Sequence, residues 1–208
     1  MAEEIVQIAC TEDITALVAL INEAYSLSES EIWLEGSNFK RTDAQDLENI
    51  VNANLIHVAR NPAKGGEIMG CVSFESKNNY LAEFGYLCVK PQYKRQGLAT
   101  RLVEYCQDLA KAQGHNTLQC ELLVPRDLAE HPHAFKEMMM SKFYPSMGFR
   151  VSRRVNFESA YPRVVALNKL RFNCDALIFQ KALPRTKPTN GDDVIIVGGG
   201  IHGAAIAY

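Results

Sequence analysis

Apolar residues at Ile14, Leu17, Val18, Ile21 and Tyr25 recur at the three- and four-residue spacing of one helix face. Thr11, Glu12 and Asp13 lead into this helix as its cap, after a short strand predicted over Glu4 to Ala9. The stretch from Glu29 to Arg41 has no period. It ends at Thr42, which with Gln45 reads as a capping box ahead of a shorter helix carrying Leu47, Ile50 and Val51. From Asn54 the pattern changes to strands. LIHVAR, EIMGCVSFES and LAEFGYLCV follow one another across the turns NPAKGG and KNNY, which predicts an antiparallel meander.

Beyond Pro91 a glycine-bearing loop leads into a second strong helical face, formed by Leu98, Leu102, Val103, Cys106, Leu109 and Ala110 and stopped at Gly114. A strand is expected over Thr117 to Val124. HAFKEMMMSKFYPSMGF predicts a helix to about Phe143, because Pro145 lacks the N–H that a helix interior needs. Two last strands are expected over Phe149 to Phe157 and Ala176 to Leu183. PRTKPTNGDD breaks all periodicity, so residues 184–193 read as a linker after a main domain of residues 1–183.

A length of 208 residues suits one well-buried core and an appendage. The 22 basic and 24 acidic side chains nearly cancel, so no global field favours nucleic acid or an anionic membrane. Six cysteines lie scattered, mostly in apolar runs, with neither a zinc spacing nor the density of a disulfide scaffold. Reduced thiols in a cytoplasmic protein are the expectation. No apolar run approaches the roughly 20 residues of a membrane span, and the acidic start MAEEIVQIAC is unlike a secretory leader.

The segment LAEFGYLCVKPQYKRQGLATRLVEY carries the chemistry. A glycine turn that opens a helix aims several backbone N–H groups and the positive end of the helix dipole at one point, which makes an anion cradle. Lys94, Arg95 and Arg101 add positive charge. The plain alternative is a helix start with solvated basic residues. His131 and His133 flank a proline without further ligands at metal spacing, so they read as loop histidines. The methionines at 138 to 140 read as helix packing.

This segment resembles the acyl-CoA-binding motif of the GNAT superfamily of N-acyltransferases: strand, VxP, (Q/R)xxGx(G/A), helix. Val89, Pro91, Gly97 and Ala99 match, and Lys94 stands where the family prefers Gln or Arg. FYPSMGF downstream resembles the family's FYxxxGF. The resemblance covers about residues 1–183 and implies an α+β fold: a mixed, mostly antiparallel sheet of about six to seven strands with helices on both faces. It implies acetyl-CoA, or another short acyl-CoA, held at its pyrophosphate by Lys94, Arg95, Gln96, Gly97, Leu98, Ala99 and Thr100. Backbone groups of Leu87, Cys88 and Val89 would take the pantetheine arm and acyl carbonyl, because in this family that strand splays from its neighbour. Glu83 is the candidate base and Tyr144 the candidate acid; their plain alternatives are an exposed strand charge and a core aromatic. The family's Asn after the following strand is missing from PRDLAEHPHAF.

The implied activity is acetyl transfer to a small amine by direct attack, with no metal. The acceptor is expected to meet SLSESEIWLEGSNFKRT and NFESAYPRVVALNKL, where Trp33, Phe39 and Tyr161 offer an aromatic wall and Glu29, Glu31 and Glu35 attract a cation. Neither the acceptor nor the oligomeric state is fixed by these patterns.

The tail DVIIVGGGIHGAAIAY resembles the dinucleotide-binding turn of FAD-dependent oxidoreductases. Residues 194–208 then read as the start of such a domain, with FAD relevant only in a longer parent chain. The turn requires a complete βαβ unit and an acidic residue roughly 20 positions on, so the tail by itself is expected to hold no flavin. A noncatalytic acyl-CoA-binding regulatory domain within such a fusion is the alternative reading.

Overall fold

The structure, a computed structural model, describes residues 5–29, 31–34, 40–167 and 169–184. The tail and its dinucleotide pattern lie outside the described residues.

Strand β1 (Ile5–Ile8) is followed by α1 (Ile14–Glu29) and α2 (Ala44–Asn52), and then by β2 (Ile56–Asn61), β3 (Glu67–Ser76) and β4 (Leu81–Val89). Helix α3 (Leu98–Ala112) leads to β5 (Thr117–Pro125) and to a helical segment made of α4 (Ala134–Met138), a π-helical turn (Met139–Phe143) and α5 (Tyr144–Ser146). Strand β6 (Arg150–Asn156), α6 (Phe157–Ala160), α7 (Pro162–Leu167) and β7 (Cys174–Ala182) complete the described chain. The seven strands form one sheet in the order β1-β2-β3-β4-β5-β7-β6. Every pairing is antiparallel except β4 with β5.

Side-chain alternation divides the core. Phe84, Leu118, Cys120, Leu122, Val124, Leu177 and Phe179 face α3 and the α4–α5 segment. On the opposite face, Val58, Cys71 and Cys88 are covered by Leu17, Leu20 and Ile21 of α1 and Leu47 and Val51 of α2. A separate apolar cluster of Ile32, Trp33, Leu123, Phe157, Cys174 and Ala176 lies toward the other end of the sheet.

Three local expectations change. Helix α1 continues to Glu29 because that residue finds a buried partner: its carboxylate receives the Lys136 ammonium at 3.0 Å, with both side chains under 5 % exposed. The cap of α2 is Asp43, whose carboxylate accepts from the Asp46 N–H at 2.9 Å; the Thr42–Gln45 box is not formed. Helical structure passes Phe143 and includes Pro145, because the wide π turn ahead of it relieves the clash a proline ring makes with the preceding turn. Of the predicted packing residues Met138 is exposed, while Met139 is buried and Met140 packs on the core. His131 stacks on Phe172 with ring centroids 4.2 Å apart, and among the described residues no group of side chains forms a metal site. No described helix is long and apolar enough to cross a membrane.

Candidate active site

The site begins with an interruption of the sheet. Strands β4 and β5 pair only at Leu81–Thr117, Ala82–Leu118 and Glu83–Gln119. Past Glu83 each strand keeps its outer partner, β3 or β7, and loses the inner one. The two strands part as a fork whose inner edges present backbone N–H and C=O groups that need partners. On β4 the register against β3 slips between Cys71 and Ser73, opposite Tyr86 and Leu87, and Tyr86 adopts a left-handed φ of 43°. This β-bulge re-aims the strand where it leaves β5. Gly70 makes room for it: a Cβ there would stand 2.6 Å from the Cys88 carbonyl oxygen.

At the mouth of the fork the chain turns through Lys94–Gly97 into α3. Arg95 and Gly97 both have left-handed φ values, 61° and 79°, so consecutive N–H groups converge in a nest. No side chain caps α3. The first turn of a 15-residue helix therefore directs its N–H groups and dipole outward beside Lys94 and Arg95. The Arg101 guanidinium donates to the Gln96 carbonyl at 2.9 Å, and the Gln96 amide to the Gln92 carbonyl at 2.9 Å, which hold the turn closed. The loop's base is fixed to β3 through Glu67, which accepts from Lys90 at 2.9 Å and from the Tyr93 hydroxyl at 2.8 Å. These two donors hold the Glu67 carboxyl below its ordinary pKa.

The expected cofactor residues thus come together. Lys94, Arg95, Gln96 and Gly97 are exposed, Ala99 and Thr100 are half-buried, and the side chain of Leu98 is buried in the core, leaving its backbone as the available group. Leu87 and Val89 pack beside α3, and the Cys88 side chain is buried against α1. A shallow cleft lined by Leu20, Ala24, Leu27, Val89, Pro91 and Lys94 adjoins the loop. The larger recess, bounded by Arg126, Asp127, His131, Arg171 and Phe172, follows the C-terminal end of β5 and shares no lining residue with the loop.

Glu83 and Tyr144 lie on opposite faces of the sheet at the crotch of the fork. Glu83 belongs to the last β4–β5 pair and accepts from the Gln119 amide at 2.5 Å; Gln119 in turn accepts from Gln180 at 3.0 Å. Its outer oxygen stands 3.7 Å from Lys77 Nζ, and the side chain remains 24 % exposed. Tyr144 is buried among Phe84, Phe149 and Phe179, with its hydroxyl close to the Cys120 thiol. Burial, then the neighbouring Cys120, push the phenol well above its ordinary pKa, so it holds its proton. Burial likewise raises Cys120, with Glu83 and Glu121 adding to the effect.

On the acceptor side the expected wall is rearranged. Tyr161 stands at the site and donates its hydroxyl to Glu121. Burial first, then Glu121, raise its pKa. Trp33 does not line the site: it is 3 % exposed, packs edge-on to Phe157 and donates to Glu29. Glu29 is committed to Lys136 and is not a free anion; Glu31 is exposed, and Glu35 and Phe39 lie outside the described residues. Glu121, Gln119 and Gln180 are new to the site. Their signal was present as polar residues at alternate positions of strands otherwise apolar. Arg41, Tyr25 and Tyr86 carried no such signal, because three distant segments bring them together.

A fork between central strands, with a helix N-terminus at its mouth and ionisable groups on either side of its crotch, is the arrangement that the GNAT resemblance implies. Residues 52–151 match the acetyltransferase (GNAT) domain. The same fold occurs in a putative acetyltransferase from Salmonella typhimurium solved with its cofactor acetyl-CoA (TM-score 0.59, 16 % identity, 93 % of this chain and 100 % of that one). It occurs also in a ribosomal-protein-alanine N-acetyltransferase from Brucella melitensis (0.57, 18 %, 86 % and 99 %). An N-acetylglutamate synthase from Neisseria gonorrhoeae, solved with coenzyme A and N-acetyl-glutamate, gives 0.56 at 20 % identity; 89 % of this chain aligns, spanning 36 % of the synthase chain. No curated protein sequence matches.

Proposed function

We propose that the chain transfers an acetyl group directly from acetyl-CoA to a small amine. The observation that carries this reading is the short β4–β5 pairing, which opens the sheet beside the Lys94–Thr100 loop. The loop N–H groups and basic side chains suit a pyrophosphate, and the unpaired β4 edge over Leu87, Cys88 and Val89 suits an amide-bearing arm and the thioester carbonyl. The solved Salmonella relative was crystallised with acetyl-CoA and the Neisseria synthase with coenzyme A, which supports the same cosubstrate here.

In the transfer, the neutral amine attacks the acyl carbon, the C–N bond forms and the C–S bond breaks, and the amine proton must be removed while the thiolate gains one. Glu83, held by Gln119 and still open to solvent, takes the amine proton directly or through a water. Tyr144 supplies a proton to the departing sulfur from the opposite face; burial keeps it in the acid form. Backbone N–H groups on the β4 edge polarise the carbonyl. Holding both reactants in one fork supplies much of the acceleration without a covalent enzyme intermediate.

Calorimetry with acetyl-CoA and thiol release across a panel of amines test this. Saturable binding with turnover supports it, and a folded protein with no affinity for CoA refutes it. Binding without turnover for any amine would instead favour the regulatory acyl-CoA-binding reading.

A further inference from the structure

A pair of tyrosines and an arginine meet above the face of the fork that carries Glu83. Asn22 of α1 accepts from the backbone N–H groups of Arg41 (2.7 Å) and Thr42 (3.2 Å), and its amide donates to the Thr42 carbonyl at 2.9 Å. These three bonds clamp the chain at Arg41 against α1. The Arg41 guanidinium then lies 4.7 Å from the centre of the Tyr25 ring and 5.7 Å from that of Tyr86, the residue at the β-bulge. Tyr25 and Tyr86 meet edge to face at 6.4 Å, so the three groups brace one another.

Among the described residues no carboxylate pairs with Arg41. Other arginines of the fold differ: Arg60 is bound by Asp13 at 2.6 Å, and Arg126 and Arg154 share Asp175. Arg41 is exposed at its surface. The Arg41 guanidinium also donates a hydrogen bond to Tyr25; a guanidinium carries five N–H donors, so others remain for a carboxylate, which binds through two parallel hydrogen bonds.

Glu83 and Glu121 share the site with this cation. Glu83 and Glu121 alternate with Phe84, Cys120 and Leu122, which face α3, and so project from the sheet face on which Tyr86 packs beneath Arg41; Tyr161 donates to Glu121 on that same face. The site is dipolar, with a fixed cation on one side and two carboxylates on the other. A simple amine or polyamine would satisfy the carboxylates and be repelled by Arg41. A simple acid would meet the reverse penalty.

We infer that the acceptor is a free amino acid or a closely similar small zwitterion, its carboxylate held by Arg41 on the Tyr25–Tyr86 platform and its amine directed at Glu83 and Glu121. This inference rests on the acyltransferase reading above. It adds the class of acceptor and the residue that selects it.

The test compares amino acids with their amides and their decarboxylated amines in acetyl-CoA turnover by the full chain. For the preferred acceptor, kcat/KM for the acid exceeds that for its amide and amine by about 10- to 100-fold, the worth of one charge-assisted interaction. In Arg41→Ala that ratio collapses toward one. In Arg41→Lys, which keeps the charge and loses the planar fork, it falls only in part. Equal or faster turnover of amides, decarboxylated amines or peptide amines by the native protein overturns the inference and leaves the acyltransferase reading intact. If no acceptor turns over, the same pairs serve as thermal-shift ligands in the presence of CoA. Stabilisation that needs the carboxylate and disappears in Arg41→Ala then supports the inference, and its absence overturns it. Loss of CoA affinity itself is read separately by calorimetry and counts against the acyltransferase reading alone.

Discussion

Replacing Gly97 by alanine tests whether the loop geometry belongs to the ligand-bound state. Gly97 sits at φ 79° as the residue before α3, and an added Cβ would lie 3.0 Å from Nη1 of Arg101. Holding a non-glycine residue in the left-handed region costs about 1–2 kcal/mol. Moving Arg101 aside sacrifices its bond to the Gln96 carbonyl, worth about 0.5–1.5 kcal/mol. Alanine also restricts the unfolded chain, which returns about 0.4–1 kcal/mol. The net loss is about 1–2 kcal/mol. If the free protein retains the loop, this loss appears as lower stability with unchanged CoA affinity. If the free loop relaxes, it appears as weaker CoA binding, by roughly 5- to 30-fold. In both cases stability measured at saturating CoA falls by the same amount, because ligand binding adds to apo stability as a logarithm of occupancy. For a domain of this size that corresponds to a decrease of about 2–8 °C in the melting temperature of the CoA complex. An unchanged melting temperature in Gly97→Ala at saturating CoA would show that the strained turn is not part of the bound state.

Further outcomes follow from the same geometry. Lys136→Met leaves the Glu29 carboxylate buried without its cation and should cost about 3–5 kcal/mol in urea unfolding, with much of the loss recovered in Glu29→Leu/Lys136→Met; a single variant of native stability would contradict the pairing. His57 is buried beside the Tyr105 hydroxyl, at 3.0 Å, and burial lowers its pKa. The unfolded chain then binds the proton first, near pH about 6.5, so stability is complete above that pH and falls as pH drops toward the folded-state value. Urea curves at neutral and mildly acidic pH should show the decline in the native chain and a weaker one in His57→Gln. Glu83→Gln and Tyr144→Phe should each lower kcat by about 10²-fold or more with the KM for acetyl-CoA little changed; an effect confined to KM would remove them from the proton-transfer steps.

Much of this fold follows from short-range pattern. The alternation in LIHVAR, EIMGCVSFES and LAEFGYLCV determines the meander because each strand has its apolar partners nearby in sequence. KRQGLAT determines an anion-directed helix start because the left-handed turn and the absence of a side-chain cap are local properties of glycine and its neighbours. By contrast, the length of α1 and the burial of Trp33 depend on Lys136, 107 residues from Glu29, and no local pattern reports such a partner. The fork depends on β5 pairing with β4 over three residues and with β7 over nine, a competition between strands that periodicity does not encode. The acceptor face is a tertiary product for the same reason. Its carboxylates come from β4 and β5, its cation from the chain before α2, and its tyrosines from α1, the β4 bulge and the chain before α7. The sequence by itself determined most of the elements and the glycine-bearing start of α3, since those rest on neighbours along the chain. Only the packing of remote segments decided which charges remain paired and which are left to meet an acceptor.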